Sequence, residues 1–516
     1  MTLSETVARL AVDRGDADAY VTLDERLSWR GYDAWADRLA EALAALPGAP
    51  GDRVAVLLPD GPAVHVAYLA VERAGRVIVG IGSRAGDREV EHLVGITGAR
   101  VLVAGADRAP LADRLALMRL DPAPLRDAPL DQGSEAEQRA SGLVGVGDAD
   151  LWLLNSTSGT TGLPKCVMHD QRRWFAFHEL AVEAAALGPG DVFMSVLPAP
   201  FGFGIWTGHV TPTLLGAPTV VMPRFDPADA LALIERERVT VLAAVSTQFV
   251  MLLNSAALHE HDCTSLRVLF TGGEMVPYLR AAEFEDRTGC TVLQFYGSNE
   301  TGALSRTTLT DSRDRRLRTA GRVIPEMQVR LFDDDGADIT ATGGPGIAAC
   351  LGPVNCLGYY GDAEANARLY TPDGWMLTGD YCTVDAEGYL TVAGRASDFI
   401  IRGGKNISAA QVEEEVSTHP AVALAAAVAM PDPVFGERVC VYVEAHPGAT
   451  PPDLDTLRVH LEGRGVGKEL WPERVVALDA LPRSSGGKVA KGELRDDIRA
   501  RVAAAESTDA PEGAPT

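Results

Sequence analysis

The chain has 516 residues, more than one hydrophobic core usually supports, so we expect at least two domains. Hydrophobic residues make up 46% and charged residues 23%, values that exclude a disordered or fibrous protein. With 47 Lys and Arg against 71 Asp and Glu, the net charge is −24, which disfavours nucleic acids and anionic membranes as partners. A phosphate-bearing ligand would therefore need a local site.

The first residues alternate charged and apolar side chains and do not form a basic stretch followed by an apolar run. No segment approaches the length of a membrane span, so we expect a cytoplasmic protein. The cysteines are scattered, without a CxxC pair or a histidine at metal-ligand spacing, and are expected to be reduced. They are Cys166, Cys263, Cys290, Cys350, Cys356, Cys382 and Cys440.

The first third of the chain alternates helical periodicity with short β-rich runs, which predicts layers of helices on a sheet. The middle third repeats this alternation, and its β-rich runs end in Gly, Pro or Ser. Ligands in α/β proteins bind where strands release into such residues. Strands are predicted at 53–58, 77–80, 100–103, 192–197, 218–222, 239–245, 267–273 and 291–297, and helices at 33–46 and 63–74.

The chain changes character after Gly394, where a short helix, two β-rich runs and a charged helical end predict a small separate domain. A capping pattern at Ser408 places the start of the short helix near Ala409. Its apolar face should then carry Val412 and Val416.

A run of small hydroxyl and glycine residues, Ser156–Thr161, follows an apolar strand and leads to Lys165. Glycines let backbone N–H groups point into one concavity, and a lysine supplies the positive charge that a polyphosphate needs. The run differs from a P-loop because Cys166, not a hydroxyl residue, follows the lysine. It predicts a phosphate-binding loop made of Thr157, Ser158, Gly159, Thr160, Thr161 and Gly162.

Five segments in order resemble the motifs of the adenylate-forming superfamily, which includes acyl-CoA synthetases, nonribosomal peptide adenylation domains and luciferases. The resemblance covers nearly the whole chain. It implies an α/β fold: a large N-terminal domain of layered α/β subdomains plus a β-barrel-like subdomain, and a small mobile α+β C-terminal domain. The segments are STSGTTGLPK at 156–165, YGSNETG at 296–302, WMLTGDY at 375–381, GRASDFIIRGGKNIS at 394–408 and PRSSGGKVAKGELR at 482–495.

On this basis the large domain should span residues 1–396 and the small domain 397–502, with a hinge at Ser397. Residues 503–516 lack any means of burial and are expected to form a disordered tail.

Joining a carboxylate to the α-phosphate of ATP brings two anions together. Like charges about 4 Å apart cost on the order of 4 kcal/mol at an effective dielectric near 20, so cations must converge there. The resemblance implies that Lys488 bridges the α-phosphate and the acid, that Lys165 helps hold the β and γ phosphates, and that Glu300 binds Mg²⁺. Asn299, where the family commonly has Thr or Ser, could still donate to the α-phosphate.

The same resemblance assigns the nucleotide contacts. Asp380 matches the aspartate that accepts hydrogen bonds from both ribose hydroxyls, and Arg395 matches the arginine near the ribose and phosphates. Tyr296 resembles the ring that packs on adenine. The adjoining backbone is expected at Gly273, Glu274, Gly297 and Ser298.

Thioester formation at the same site implies, by resemblance, rotation of the small domain about Ser397, which replaces the family's usual Asp or Lys. Rotation would withdraw Lys488 and bring in a coenzyme A contact segment, whose glycines leave room for the slim pantetheine arm. That segment is Arg402, Gly403, Gly404 and Lys405.

The acid pocket is predicted to be aromatic and glycine-rich, without a cation, which favours a hydrophobic, uncharged acid tail. Phe201 takes the place of a common histidine, and residues 344–349 lack the family's common Gly-Glu pair. The predicted lining is Pro200, Phe201, Phe203, Trp206, Ser246, Gly272, Gly297 and Ala303.

The sequence thus predicts an ATP-dependent acid–thiol ligase that uses ATP, Mg²⁺ and coenzyme A. Three alternatives remain open: a variant impaired in adenylation that mainly thioesterifies a preformed acyl-adenylate, a loader of a carrier protein, and a catalytically retired nucleotide-binding protein. A homodimer is compatible with the sequence. The identity of the acid and the pathway stay open.

Overall fold

The structure is a computed structural model of the whole chain. It is described here for residues 1–128, 146–156, 164–274, 276–395, 398–403, 405–483 and 488–508. The predicted phosphate-binding residues at 157–162, the predicted hinge Ser397 and Gly404 of the coenzyme A contact segment lie outside the described residues.

A six-stranded sheet forms the first layer, and its strands are parallel except for the last pair. The strand that precedes the predicted phosphate-binding residues is its fifth, and Ser156, its last residue, lies at the carboxyl edge of this sheet. The order of strands across the sheet is Met118–Leu120, Val101–Ala104, Arg53–Leu57, Val77–Gly80, Leu153–Ser156 and Cys166–His169.

A nine-stranded sheet forms the second layer, with six parallel strands at its centre and antiparallel pairs at both edges. The parallel strands are buried and consist largely of apolar residues, as expected when helices cover both faces. The order across the sheet is Arg322–Val323, Gly302–Arg306, Thr291–Ser298, Val268–Gly272, Val241–Ala243, Phe193–Ser195, Thr219–Val221, Asp18–Val21 and Arg26–Ser28.

The subdomain predicted to be β-barrel-like is a four-stranded antiparallel sheet. Its last two strands carry Asp380 and Arg395, which are direct partners in the register. The strands are Gln328–Phe332, Gly346–Leu351, Met376–Val384 and Leu390–Arg395.

A further sheet, with its own apolar core, follows in the C-terminal part of the chain. The helix beside it begins at Ala409, its N-cap Ser408 accepts a hydrogen bond from a backbone N–H, and Val412 and Val416 are fully buried, so that prediction is confirmed. The strands are Phe399–Arg402, Lys405–Ser408, Val422–Asp432, Gly436–Ala445 and Arg474–Ala477.

Helices cover the sheets and confirm the predicted alternation in the first and middle thirds. Among the described residues, the α-helices of four or more residues are Leu3–Asp13, Trp29–Ala44, Pro62–Arg73, Asp87–Thr97, Ala109–Arg114, Gln171–Ala185, Thr211–Leu215, Pro227–Glu237, Ser246–Asn254, Tyr278–Thr288, Arg313–Arg318, Ala363–Leu369, Ala409–Val416, Leu454–Gly463 and Lys491–Thr508, with a π-helix at Ile205–Val210.

Two predictions need correction. The last helix extends to Thr508, so the expected disordered tail was wrong for residues 503–508, and residues 509–516 lie outside the described part. The strand Met118–Leu120 is missing from the predicted strands; it is short and half-buried and therefore gave no periodic signal. In the described part of the chain, no helix is long and apolar enough to cross a membrane.

Candidate active site

Lys488 of the C-terminal part of the chain reaches the edge of the nine-stranded sheet. Its ammonium donates a hydrogen bond to the carbonyl oxygen of Gly273, which directly follows the strand Val268–Gly272. A Cβ at position 273 would lie 3.0 Å from the lysine nitrogen, and the φ of Gly273 is +79°. Only glycine meets both demands readily, so the chain is shaped here to receive this lysine.

Charged groups of both signs surround Lys488. Burial lowers the pKa of its ammonium; the neighbouring carboxylate of Glu274 opposes this, and the cation of Arg395 adds to it. Burial likewise raises the pKa of Glu274 and of Asp380, while Lys488 acts in the opposite direction on both. The structure therefore places one flexible cation among acidic groups in a partly desolvated cleft.

A test of this electrostatic arrangement is Glu274→Gln. A lysine that acts as a cation loses its function as the pH rises through its pKa, and removing the Glu274 charge lowers that pKa further. Lys488 is predicted to assist the joining of an acid to the α-phosphate of ATP. We expect the rate of that reaction to begin its decline at a lower alkaline pH in Glu274→Gln than in the unaltered protein. The pH–rate profiles of the two proteins check this, and an unchanged or upward shift would contradict it.

Glu300 is held by contacts at its backbone and its side chain. Its N–H donates to the hydroxyl of Ser298 at 3.1 Å, and its carbonyl accepts from the N–H of Cys356 at 2.8 Å. The hydroxyl of Tyr359 donates to one carboxylate oxygen at 2.8 Å. The ammonium of Lys165 lies 4.9 Å from the centroid of the Tyr359 ring, so Lys165 and Glu300 share one tyrosine.

The donor set at Glu300 fits a magnesium ion bound with phosphates. Among the described residues, no group of three or more His, Cys, Asp or Glu side chains could hold a metal. Mg²⁺ commonly uses one or two carboxylates and takes its other ligands from water and substrate phosphates. Glu300 would supply that carboxylate, and the ion would neutralise charge on the phosphates.

Asp380 contacts two of the residues predicted with it. The hydroxyl of Tyr296 donates to one of its carboxylate oxygens at 2.8 Å, and the guanidinium of Arg395 lies 3.6 Å from the other. Its N–H donates to the hydroxyl of Thr378 at 3.0 Å, which fixes the turn at Gly379. The structure thus brings together the three residues predicted to contact adenine, ribose and phosphate.

Glycines keep the adjoining strand ends close together. A Cβ on Gly297 would lie 1.6 Å from the carbonyl oxygen of Gly302, and one on Gly272 would lie 2.3 Å from that of Phe295. Neither position tolerates a side chain without moving backbone. The cleft floor is therefore built from bare peptide groups, which can approach a ligand closely.

Comparison with known proteins agrees with this geometry. The model of the AMP-binding enzyme family matches residues 7–360, and that of the AMP-binding enzyme C-terminal domain matches residues 411–488. The chain belongs to the AMP-binding enzyme family. It is therefore a member of the adenylate-forming superfamily, as the motifs predicted.

Two relatives of this AMP-binding enzyme have names that refer to aromatic acids. A feruloyl-CoA synthase from Amycolatopsis is 34% identical, over 93% of this chain and 94% of that enzyme. A 2,3-dihydroxybenzoate-AMP ligase from Bacillus subtilis is 30% identical, over 97% and 95%. The structure of ATP-bound MatB from Rhodopseudomonas palustris matches with a TM-score of 0.82 and 26% identity, over 96% of this chain and 99% of MatB.

The predicted acid pocket of the AMP-binding enzyme lies where its two large sheets meet. A Cβ on Gly80, in the six-stranded sheet, would lie 3.1 Å from Pro200, which precedes the half-buried Phe201. Phe203 is also half-buried and stacks on Trp206 with ring centroids 5.4 Å apart. Of the remaining predicted lining residues, Gly297 is half-buried, and the others are buried: Trp206, Ser246, Gly272 and Ala303.

Trp206 is packed as a core residue. Its side chain is 2% exposed and contacts the rings of Phe177, Phe270 and Phe295, with centroids 4.8–5.3 Å away. It sits in the π-helix Ile205–Val210, a type of irregular turn often found at functional sites. Trp206 therefore lies behind the predicted pocket lining, and Phe201 and Phe203 are the half-buried aromatic residues of that lining.

This difference in packing can be measured. Trp206→Ala should lower the free energy of unfolding by about 3–5 kcal/mol, because a large ring leaves a cavity in the core. Phe203→Ala should cost less stability and change the preference among acids of different size. Chemical denaturation and relative kcat/KM values for two acids check the pair, and equal losses of stability would contradict the assignment.

The coenzyme A contact segment lies on the C-terminal sheet. Arg402 forms an ion pair with Glu473, the N–H of Gly403 donates to the carbonyl of Phe435 at 2.8 Å, and Lys405 lies 4.0 Å from Glu469. Among the described residues, each contact found for these three is with the C-terminal part of the chain. The structure thus places Lys488 at the cleft, while the coenzyme A contact segment is bonded to other residues of the C-terminal part of the chain.

A series of hydrogen-bonded polar side chains behind Asn299 was not predicted from the sequence. The amides of Asn155 and Asn299 exchange hydrogen bonds of 2.7 and 3.1 Å, and Asn155 is fully buried. His169 bonds to Asn155 and Arg173 bonds to His169, so these two side chains extend the hydrogen-bonded series away from the site. A readable signal was present, because Asn155 is a polar residue within the buried strand Leu153–Ser156.

Proposed function

We propose that the enzyme is an acyl-CoA ligase that converts a hydrophobic carboxylic acid into its acyl-adenylate with ATP and then into the acyl-CoA thioester. The contact of Lys488 with Gly273, among Glu274, Asp380 and Glu300, carries the proposal. It supports a cleft in which a mobile cation meets a nucleotide site and a pocket for an acid.

Each residue then has a defined task in adenylation. Lys488 neutralises charge between the acid and the α-phosphate, Lys165 and the phosphate-binding loop hold the outer phosphates, and Glu300 holds Mg²⁺. Asp380 orients the ribose. Because the attack joins two anions, removal of like-charge repulsion is the main contribution that these residues make.

For thioester formation we propose rotation of the small domain about Ser397. Arg402 would have to leave Glu473 to meet coenzyme A, and Lys488 would leave Gly273. The two half-reactions would then use two arrangements of the same domain, with the large domain unchanged.

The substrate proposed is an uncharged aromatic or other hydrophobic acid. Phe201 and Phe203 offer ring surfaces, and no cation was predicted among the lining residues. The names of the feruloyl and dihydroxybenzoate enzymes point to the same class. The latter name describes an AMP ligase, so a carrier-protein thiol remains the alternative acceptor.

Mass spectrometry of products tests the proposal. The protein is incubated with ATP, Mg²⁺ and a panel of benzoic, cinnamic, alicyclic and medium-chain acids, with and without coenzyme A. We expect an acyl-adenylate with a hydrophobic acid and its acyl-CoA when coenzyme A is added. An adenylate that accumulates despite coenzyme A would favour a carrier-protein acceptor, and thioester formation only from a supplied acyl-adenylate would favour the variant impaired in adenylation.

A further inference from the structure

A fully buried arginine, Arg173, lies behind the candidate active site, and the carboxylates of Glu300 and Asp170 act on its guanidinium only through their charge. Arg173 is 2% exposed, and within the described part of the chain no salt bridge to it is found. Its guanidinium donates to the Nδ1 of His169 and lies 5.0 Å from the ring of Trp174. Burying a cation against a neutral ring costs free energy of folding, so its presence here points to a function.

The hydrogen bonds that start at Arg173 have a fixed direction. Arginine has only donors, so Nδ1 of His169 must accept and Nε2 must carry the proton. Nε2 lies 2.7 Å from Oδ1 of Asn155, to which it donates. Oδ1 of Asn155 also accepts from Nδ2 of Asn299 at 2.7 Å, while Nδ2 of Asn155 donates to Oδ1 of Asn299 at 3.1 Å.

This direction excludes the flipped orientation of either amide. If Asn155 turned over, its NH₂ would face the N–H of His169; if Asn299 turned over, its oxygen would face the oxygen of Asn155. Burial, together with the cation of Arg173, also holds the pKa of His169 well below its usual value, so the ring stays neutral. The orientation of the Asn299 amide is therefore set by the guanidinium of Arg173, which acts through the side chains of His169 and Asn155.

Asn299 stands at the junction of the acid pocket and the metal-binding carboxylate. It precedes Glu300, and a Cβ on Gly202 would lie 2.7 Å from its Oδ1, so the amide needs the glycine beside Phe201. One hydrogen of its Nδ2 is used by Asn155. The second remains for a ligand, since the described residues provide it with no acceptor.

We propose that Arg173, His169 and Asn155 are positioning residues that orient the amide of Asn299, so that its second N–H donates to the α-phosphate of the bound nucleotide. This inference rests on the proposed function for the identity of the ligand. The relay acts through hydrogen-bond direction, and the charge of Arg173 itself stays buried. Hydrogen bonds to a charged group are worth roughly 10- to 100-fold in affinity.

A double-mutant cycle with AMP tests the relay without needing to know the acid. AMP is titrated into the unaltered protein, Arg173→Met, Asn299→Ala and the double variant by calorimetry. We expect Arg173→Met to weaken AMP binding about tenfold in the unaltered background and less than about twofold when Asn299 is already Ala. Equal losses in both backgrounds would overturn the relay.

Two variants keep the test interpretable if Arg173→Met folds poorly. Asn155→Leu removes the middle of the relay and leaves the arginine in place, and it should give the same dependence on Asn299. Arg73→Met is the matched control, because Arg73 is also buried but pairs with Asp33 and Asp37, far along the chain from this relay. It should lower stability without changing AMP affinity.

Pyrophosphate exchange on the same variants separates this inference from the proposed function. If AMP binds and the cycle is non-additive, but no acid supports exchange in the unaltered protein, the relay stands and the proposed function fails. If exchange is brisk and the cycle is additive, the function stands and the relay is wrong. Where exchange occurs, Arg173→Met should lower its rate about tenfold or more, with little change in the KM for the acid.

Discussion

Lys488→Ala should lower the rate of acid-dependent ATP–pyrophosphate exchange about 1000-fold. The lysine is the cation that reaches Gly273, and the repulsion between two anions left uncompensated corresponds to on the order of 4 kcal/mol. The same variant should still form a thioester when it is given a synthetic acyl-adenylate and coenzyme A, because that step is proposed to proceed with Lys488 withdrawn.

The matched control is Lys468→Ala, which removes an exposed lysine from the same C-terminal part of the chain. It should leave pyrophosphate exchange within about twofold of the unaltered rate, since solvent already screens an exposed charge. A Lys488→Ala protein that exchanges pyrophosphate at the normal rate would exclude the assigned role. Equal loss of both half-reactions would instead argue against rotation of the small domain.

Glu300→Gln should lower pyrophosphate exchange at least about 100-fold and raise the Mg²⁺ concentration needed for half-maximal rate. Metal-ion stabilisation of phosphate charge is worth several kcal/mol, and a neutral amide binds Mg²⁺ poorly. The amide oxygen of Gln can still accept from the hydroxyl of Tyr359, so the local fold should persist. Mg²⁺ titrations of the initial exchange rate measure both effects.

Two further variants separate the carboxylate from its surroundings. Tyr359→Phe keeps the ring beside Lys165 and the Glu300 charge but removes one hydrogen bond, and should cost less than about tenfold. Glu326→Gln makes the same change at an exposed glutamate and should have no measurable effect. An unaltered Mg²⁺ requirement in Glu300→Gln would show that another group holds the metal.

The fold was largely predictable because its pattern is local. Parallel strands buried on both faces are short apolar runs, and their alternation with helical periodicity is visible in the sequence. The cap at Ser408 specified a helix start at Ala409. The strand Met118–Leu120 and the end of the last helix at Thr508 were missed, since neither carries an apolar period.

The candidate site was predictable where motifs carry charge or glycine. Lys488, Glu300, Asp380 and Arg395 were found in this way, and the structure brings them to one cleft. The pair of amides at Asn155 and Asn299 was not found, because the two residues are 144 positions apart and an amide pair has no characteristic spacing.

Trp206 shows a second kind of limit. An aromatic residue in a glycine-rich segment reads equally well as a pocket wall or as core, and only contacts decide between them. The rings of Phe177, Phe270 and Phe295 contact it, and those residues come from three separate segments of the chain.

The central claim is that the cleft that holds Lys488, Glu300 and Asp380 joins a carboxylic acid to AMP. Exchange of labelled pyrophosphate into ATP, measured with and without each acid of the panel and with Mg²⁺ present, tests it most directly. We predict label in ATP only when a suitable hydrophobic acid is present, and its loss in Lys488→Ala. Exchange that is absent with every acid, in a protein that also fails to bind ATP or an acyl-AMP mimic, would contradict the claim.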